Sequence, residues 1–188
     1  MNQKVKRLTY LTIFVALEIL FSVVPFLGYI PLGFINATTL HIPVILSSLI
    51  LGYKEGAFLG FVFGFSSLLK NTFEPNATSF LFSPFFSLGE TSGNFLSLVI
   101  VFVPRIFLGL WPHFVMGHLK NKYRGLTACF SATFLHTVLV MGLAYLFFAK
   151  SYALALGVGA DMLVYAILGV VFTSGLAESA IAAIICPL

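Results

Sequence analysis

The sequence predicts an all-α integral membrane protein: one domain over residues 1–188, a compact bundle of six transmembrane helices. Three observations predict it. Hydrophobic residues make up 60% of the 188 and charged residues only 9%, against about 45–50% and about 25% in soluble domains. Six apolar segments follow one another between polar or glycine-containing connections. No period-2 alternation of barrel strands is visible, and in lipid a helix pairs every backbone group within itself. At about 20 residues per crossing, the chain has room for these spans and their loops but not for a separate soluble domain.

The first segment covers about Leu8–Leu27. Basic residues before an apolar run also begin a signal peptide. Here the run continues to Leu27 and no small-x-small cleavage pattern follows, so a retained first span is expected. The second and third segments, about Leu40–Leu51 and Gly56–Leu69, are short for a full crossing. Between them "GYKEG" would put Lys54 and Glu55 in an aqueous turn, which favours a short helical hairpin over one broken or re-entrant element. The fourth, fifth and sixth segments run over about Phe95–Leu119, Leu126–Phe148 and Met162–Ile185.

Charge placement sets the orientation. With six spans, Lys4, Lys6, Arg7, Lys54, Lys120, Lys122 and Arg124 fall on one side, and the other carries only Lys70 and Lys150. Lysine and arginine mark cytoplasmic loops, so both termini are expected in the cytoplasm. The same placement accounts for the net charge of +4 without nucleic acid. Two connections on the opposite side are long, residues 28–39 and 70–94. The second contains Phe73, Phe80, Phe82, Phe85 and Phe86, too aromatic for disorder. It is expected to fold back as a lid over the outer end of the bundle; the alternative rests its aromatics on the membrane interface.

In "GYKEGAFLGFVFG", Gly52, Gly56, Gly60 and Gly64 recur every fourth residue and share one helix face. Such a stripe permits close backbone approach, within the bundle or to an external partner. Thr12 and Ala16 form another small-xxx-small pair on the first span. Glu18 lies near the middle of that span and Glu178 in the sixth, so each needs an inward partner or a proton. Asp161 suits a helix N-terminus as a cap.

His41, His113, His118 and His136 show no HxxxH or HExxH spacing, so neither a metal nor a cofactor is expected. His118 adjoins the basic loop. His136 lies mid-span as a hydrogen-bonded bundle histidine, a ligand contact or, least of all, a catalytic group. Cys129 and Cys186 form no CxxC pair and read as packing residues. No GxxxxGK[ST], GxSxG or paired catalytic carboxylates occur. The chain is not expected to be an enzyme, and any uphill transport must draw on an ion or another subunit.

"FVPRIFLG" carries the most informative charge. Arg105 keeps its proton and sits about 15 Å from either end of its span at 1.5 Å per residue, too far to reach water easily. It must face protein, a carboxylate or a wet cavity. Pro104 beside it has no N–H, which leaves the Ile100 carbonyl without its helical donor. Arg105 can pair with Glu18 or Glu178, bind the carboxylate or phosphate of a ligand, or meet a lipid headgroup.

The whole chain resembles the substrate-binding S component of energy-coupling factor (ECF) vitamin transporters. The resemblance rests on small size, six segments, termini on one side, the Thr12/Ala16 pair, "HIPVILSSLILGYKEGAFLGFVFG" and the long third loop. Family members often carry alanine at both small positions, and here the first is Thr12. "NTFEPNATSFLFSPF" and "FVPRIFLG" are most similar to the pantothenate-specific branch. The resemblance implies a subunit of the bacterial membrane that captures one vitamin under loops one and three. It also implies a transmembrane coupling subunit, docked on the Thr12 and Ala16 face, and two cytosolic ATPases. For pantothenate, Arg105 would take the carboxylate. Asn71, Ser79, Asn94 and His136 could bond the amide and hydroxyls, and Phe80 and Phe82 could cover the dimethyl portion. Riboflavin, folate or a thiamine precursor are alternative ligands. An intramembrane enzyme or a structural assembly protein are alternatives of another class.

Overall fold

The computed structural model describes residues 3–24, 28–31, 36–89, 91–120 and 122–186. Helix α1 spans Gln3–Val23 and is followed by a hairpin of β1 (Tyr29–Pro31) and β2 (Asn36–Thr38). Then come α2 (His41–Leu51), α3 (Tyr53–Phe73), a 3₁₀ turn (Ser79–Leu81) and a second hairpin of β3 (Ser87–Leu88) and β4 (Thr91–Ser92). Helices α4 (Phe95–His118) and α5 (Arg124–Leu156) follow, with α6 (Ala160–Val170) joined to α7 (Leu176–Ile185) by a π-helical turn over Val171–Gly175. Both hairpins are antiparallel, with Tyr29 opposite Thr38 and Ser87 opposite Ser92.

Among the described residues, three stretches are long and apolar enough to cross a membrane: Phe95–His118, Arg124–Leu156 and Asp161–Ile185. They coincide with the fourth, fifth and sixth apolar segments. Helices α1 and α3 have 21 residues each, or about 31 Å at 1.5 Å per residue, with more charge at their ends. The 11 residues of α2 reach only about half a bilayer. The expected end of the first segment, at Leu27, lies outside the described residues.

The third segment differs from expectation. Helix α3 does not stop at Leu69, and Lys54 and Glu55 are inside its first turn rather than in an aqueous loop. The turn is Gly52 alone, at φ 113°, a conformation glycine adopts without a Cβ clash. Gly52 therefore leaves the helical stripe. Glu55 suits the positive start of α3, and Arg7 Nη2 meets its Oε2 at 2.5 Å and the Leu51 carbonyl at 2.9 Å. At the other end, Lys70 bonds Glu74 at 2.7 Å, one helical turn along. This pair carries the helix past the end of its apolar run.

The remaining glycines fit α3 to α4. A Cβ on Gly56 would lie 2.2 Å from the Gly109 carbonyl oxygen, and one on Gly60 would lie 2.2 Å from that of Arg105. Gly64 faces the Phe102 ring at 2.8 Å in the same sense. Of the two uses open to a small-residue stripe, this chain uses internal packing, which brings the backbone of α4 at Arg105 against α3.

Contacts define the two ends of the bundle. Arg7 on Glu55, and the Tyr53 ring 5.6 Å from His113, gather the start of α1, the α2–α3 turn and the end of α4. The segment 74–94 packs on the opposite end. Phe80 and Leu81 are buried, and Phe80 meets Phe148 edge-on at 5.9 Å. Ser97 Oγ donates to the Phe80 carbonyl at 2.7 Å. The loop thus inserts its aromatics between helices, as a fold-back lid would, and Phe85 stays outside. Beneath it α5 kinks at Phe148 (φ −131°, ψ 22°).

Candidate ligand-binding site

Arg105 is placed by its own helix and two aromatic rings. It is only 6% exposed. Pro104 cannot supply the N–H that the Ile100 carbonyl would receive in an uninterrupted helix, and Arg105 Nη1 donates to that oxygen at 2.6 Å instead. The carbonyl expected to be left over is thus occupied by the residue after the proline. The guanidinium carbon lies 5.4 Å from the Phe63 ring centroid and 5.0 Å from that of Phe82. Cations favour such positions over aromatic faces.

Neither glutamate pairs with Arg105. The ion pairs among the described residues are Arg7–Glu55 and Lys70–Glu74. Glu178 Oε1 accepts the Thr38 N–H at 2.7 Å, which ties the first hairpin to α7. Glu18 is fully buried, and its oxygens accept no hydrogen bond among the described residues.

Arg105 lines two adjoining chambers. The inner one, about 100 Å³, is bounded by Phe63, Ser67, His136, Thr137, Ser174 and Glu178 together with Arg105 and Thr38. The second, about 170 Å³, lies toward the 74–94 loop and adds Asn71, Asn76, Thr78 and Tyr152. Thr38, Ser67, Phe82, Arg105, Val140, Met141 and Val170 belong to both, so the two chambers adjoin along a shared wall that includes Arg105. Helical period explains the lining. Phe63, Ser67 and Asn71 lie on one face of α3, and His136, Val140 and Ala144 on one face of α5. The π turn, a device frequent at functional sites, separates Val170 from Glu178 and leaves Ser174 facing the space.

Of the residues singled out in the sequence, Arg105, Asn71, Phe82 and His136 line this cavity. His136 Nε2 has no hydrogen-bond partner among the described residues. The Asn71 amide nitrogen donates to the Ser67 carbonyl at 2.8 Å, and its oxygen accepts from Ser79 Oγ at 2.8 Å. Ser79, Phe80 and Asn94 lie outside the lining. Ser79 also accepts the Asn76 N–H at 2.8 Å, knotting the loop to α3. Phe80 is a core residue. Asn94 caps α4, accepting the Leu96 N–H at 2.8 Å while Ser97 Oγ accepts the Asn94 N–H at 3.2 Å. Thr12 and Ala16 are exposed on α1, away from the cavity. Ser67, Thr38 and Tyr152 were not singled out. Ser67 was within reach of sequence reasoning, because it precedes Asn71 by one helical turn.

An apolar helical bundle with a mainly apolar cavity that a buried arginine and several polar side chains line has the form of a membrane protein that holds a small molecule. The chain belongs to the ECF transporter family as its substrate-specific component: the family profile matches residues 6–188. It is thus a multi-pass protein of the bacterial cell membrane whose role is recognition rather than catalysis. It is 39% identical over 149 residues to the pantothenic acid transporter PanT of Lactococcus lactis subsp. cremoris, covering 76% of each chain. It is 31% identical over 126 residues to the pantothenate transporter PanT of Leuconostoc mesenteroides subsp. mesenteroides, covering 65% of this chain and 54% of that protein.

Proposed function

We propose that this chain is the pantothenate-binding S component of an ECF-type ABC transporter, with Arg105 as the anchor for the ligand's carboxylate. The observation that carries the reading is the buried Arg105 lining both adjoining chambers, with support from two relatives named for pantothenate. Asn71, Phe82 and His136 complete the binding set from the lining. Ser79, Phe80 and Asn94 support it by holding the loop and the start of α4. The chain works with a transmembrane coupling subunit, which docks on Thr12 and Ala16, and with two cytosolic ATPases that supply the energy.

In the bilayer the chain forms a single domain over residues 1–188 and makes six crossings: α1, α2, α3, α4, α5 and the α6–α7 run. The short α2 crosses together with the first hairpin. The basic end faces the cytoplasm with both termini, by the distribution of lysine and arginine. The 74–94 loop then covers the cavity from outside.

The test is binding of pantothenate to the purified protein in the absence of ATP, paired with mass spectrometry of small molecules released from it. Arg105→Ala should weaken binding about 10- to 100-fold, since hydrogen bonds to charged groups contribute about 1.5–3 kcal/mol and 1.4 kcal/mol is tenfold. Unchanged affinity in that variant would remove the carboxylate role from Arg105. Recovery of a different vitamin would reassign the substrate.

A further inference from the structure

The cavity is electrically lopsided, and this fixes which way round a ligand can lie. Arg105 faces both chambers, whereas Glu178 lines only the inner one. Its Oε1 is held by the Thr38 N–H at 2.7 Å, which fixes the carboxylate on the wall of that chamber. His136 Nε2, buried and without a partner among the described residues, lines the same chamber. Ser174 and Thr137 add hydroxyls there. Among the described residues, the chamber toward the loop is lined by Asn71, Asn76, Thr78 and Tyr152 and by no acidic side chain.

We infer that Glu178 is an acceptor for ligand hydroxyls, and that the ligand lies with its hydroxyl-bearing end in the inner chamber and its carboxylate turned toward the 74–94 loop. This rests on the pantothenate reading above. Pantothenate carries a carboxylate at one end and two hydroxyls near the other. A hydroxyl can donate to Glu178 and accept from a protonated ring nitrogen of His136. A carboxylate in the inner chamber would set two acids against each other, which disfavours the charge on both. Turned the other way, it keeps Arg105, which lines both chambers, and meets the amide and hydroxyl side chains of the loop-side chamber. The gem-dimethyl group, between the two hydroxyl-bearing carbons, goes with them into the inner chamber beside Phe63, and the amide falls near Phe82, Val140 and Met141, which both chambers share.

The test is titration calorimetry of the full chain with three compounds: pantothenate, its primary amide at the carboxylate, and a deoxy analogue lacking the terminal hydroxyl. Wild type should disfavour each analogue by about tenfold or more, because a buried polar group left unmatched is costly. Glu178→Gln keeps an oxygen for the Thr38 N–H and should melt like wild type, while it offers an –NH₂ in place of the second acceptor. In this variant discrimination against the deoxy analogue should fall to about twofold, and discrimination against the amide should persist. Arg105→Gln should show the reverse pattern. The orientation is overturned if Glu178→Gln binds pantothenate more tightly, or if it keeps the hydroxyl preference and loses the carboxylate preference. Failure of wild type to bind pantothenate at all would instead overturn the reading on which the orientation rests.

Discussion

Replacing Gly60 with alanine tests whether the α3–α4 contact positions the anchor. The added Cβ would lie 2.2 Å from the Arg105 carbonyl oxygen, 2.8 Å from its carbonyl carbon and 3.0 Å from Ile106 Cα. All three neighbours are backbone atoms, so no side chain can swing aside. Relief requires the helices to part by roughly 1 Å. Overpacking of this kind costs about 1–3 kcal/mol, against which alanine recovers up to about 1 kcal/mol of helix propensity. Net destabilisation of about 1–2 kcal/mol is expected. Because the displaced backbone is that of Arg105, ligand affinity should also fall, by about tenfold if one charge-assisted hydrogen bond is weakened. Gly117, in the same α4 with nothing within 4 Å of an added Cβ, is the control. Thermal unfolding in detergent and calorimetric binding of both variants decide the matter. Equal stability and equal affinity of Gly60→Ala and Gly117→Ala would refute the idea that this contact sets the position of Arg105.

Other substitutions separate scaffold from site. Ala16→Trp should leave ligand binding within about twofold and abolish uptake in cells, as measured with radiolabelled vitamin; loss of binding would move that face into internal packing. Asn94→Ala removes the side-chain acceptor of the α4 capping box, leaving the bond from its backbone N–H to Ser97 Oγ, and should lower stability by about 1 kcal/mol with affinity little changed, read by unfolding and calorimetry side by side. Phe82→Leu removes the ring 5.0 Å from the Arg105 guanidinium and should weaken binding several-fold, since such cation–ring contacts contribute about 0.5–2 kcal/mol.

The helices and the burial of Arg105 were legible from the sequence because each follows from transfer chemistry alone. Apolar runs make helices in lipid whatever their neighbours, and a mid-span arginine needs company in any fold. What escaped depends on how elements meet. The last turn of α3 is polar, with Lys70 and Asn71, so hydropathy ended the helix early, although Lys70 and Glu74 at helical spacing argued for continuation. The π turn at Val171–Gly175 has no proline to announce it. Ser79 and Asn94 have the same polar chemistry as Asn71, and only the packing of the loop decides that two of them tie the scaffold while Asn71 also faces the cavity. Glu178 could be assigned a partner only once the first hairpin was seen to deliver the Thr38 N–H.

The bond from Arg105 to the Ile100 carbonyl has an entropic consequence. A long, flexible side chain normally loses its rotamer freedom when it grips a ligand, which opposes binding. Here the guanidinium is already fixed by a carbonyl that Pro104 vacated and by two rings. Most of that freedom disappears as the protein folds. If Arg105 anchors the ligand as proposed, capture resembles insertion into a rigid socket, and one proline placed beside the charge contributes to that rigidity.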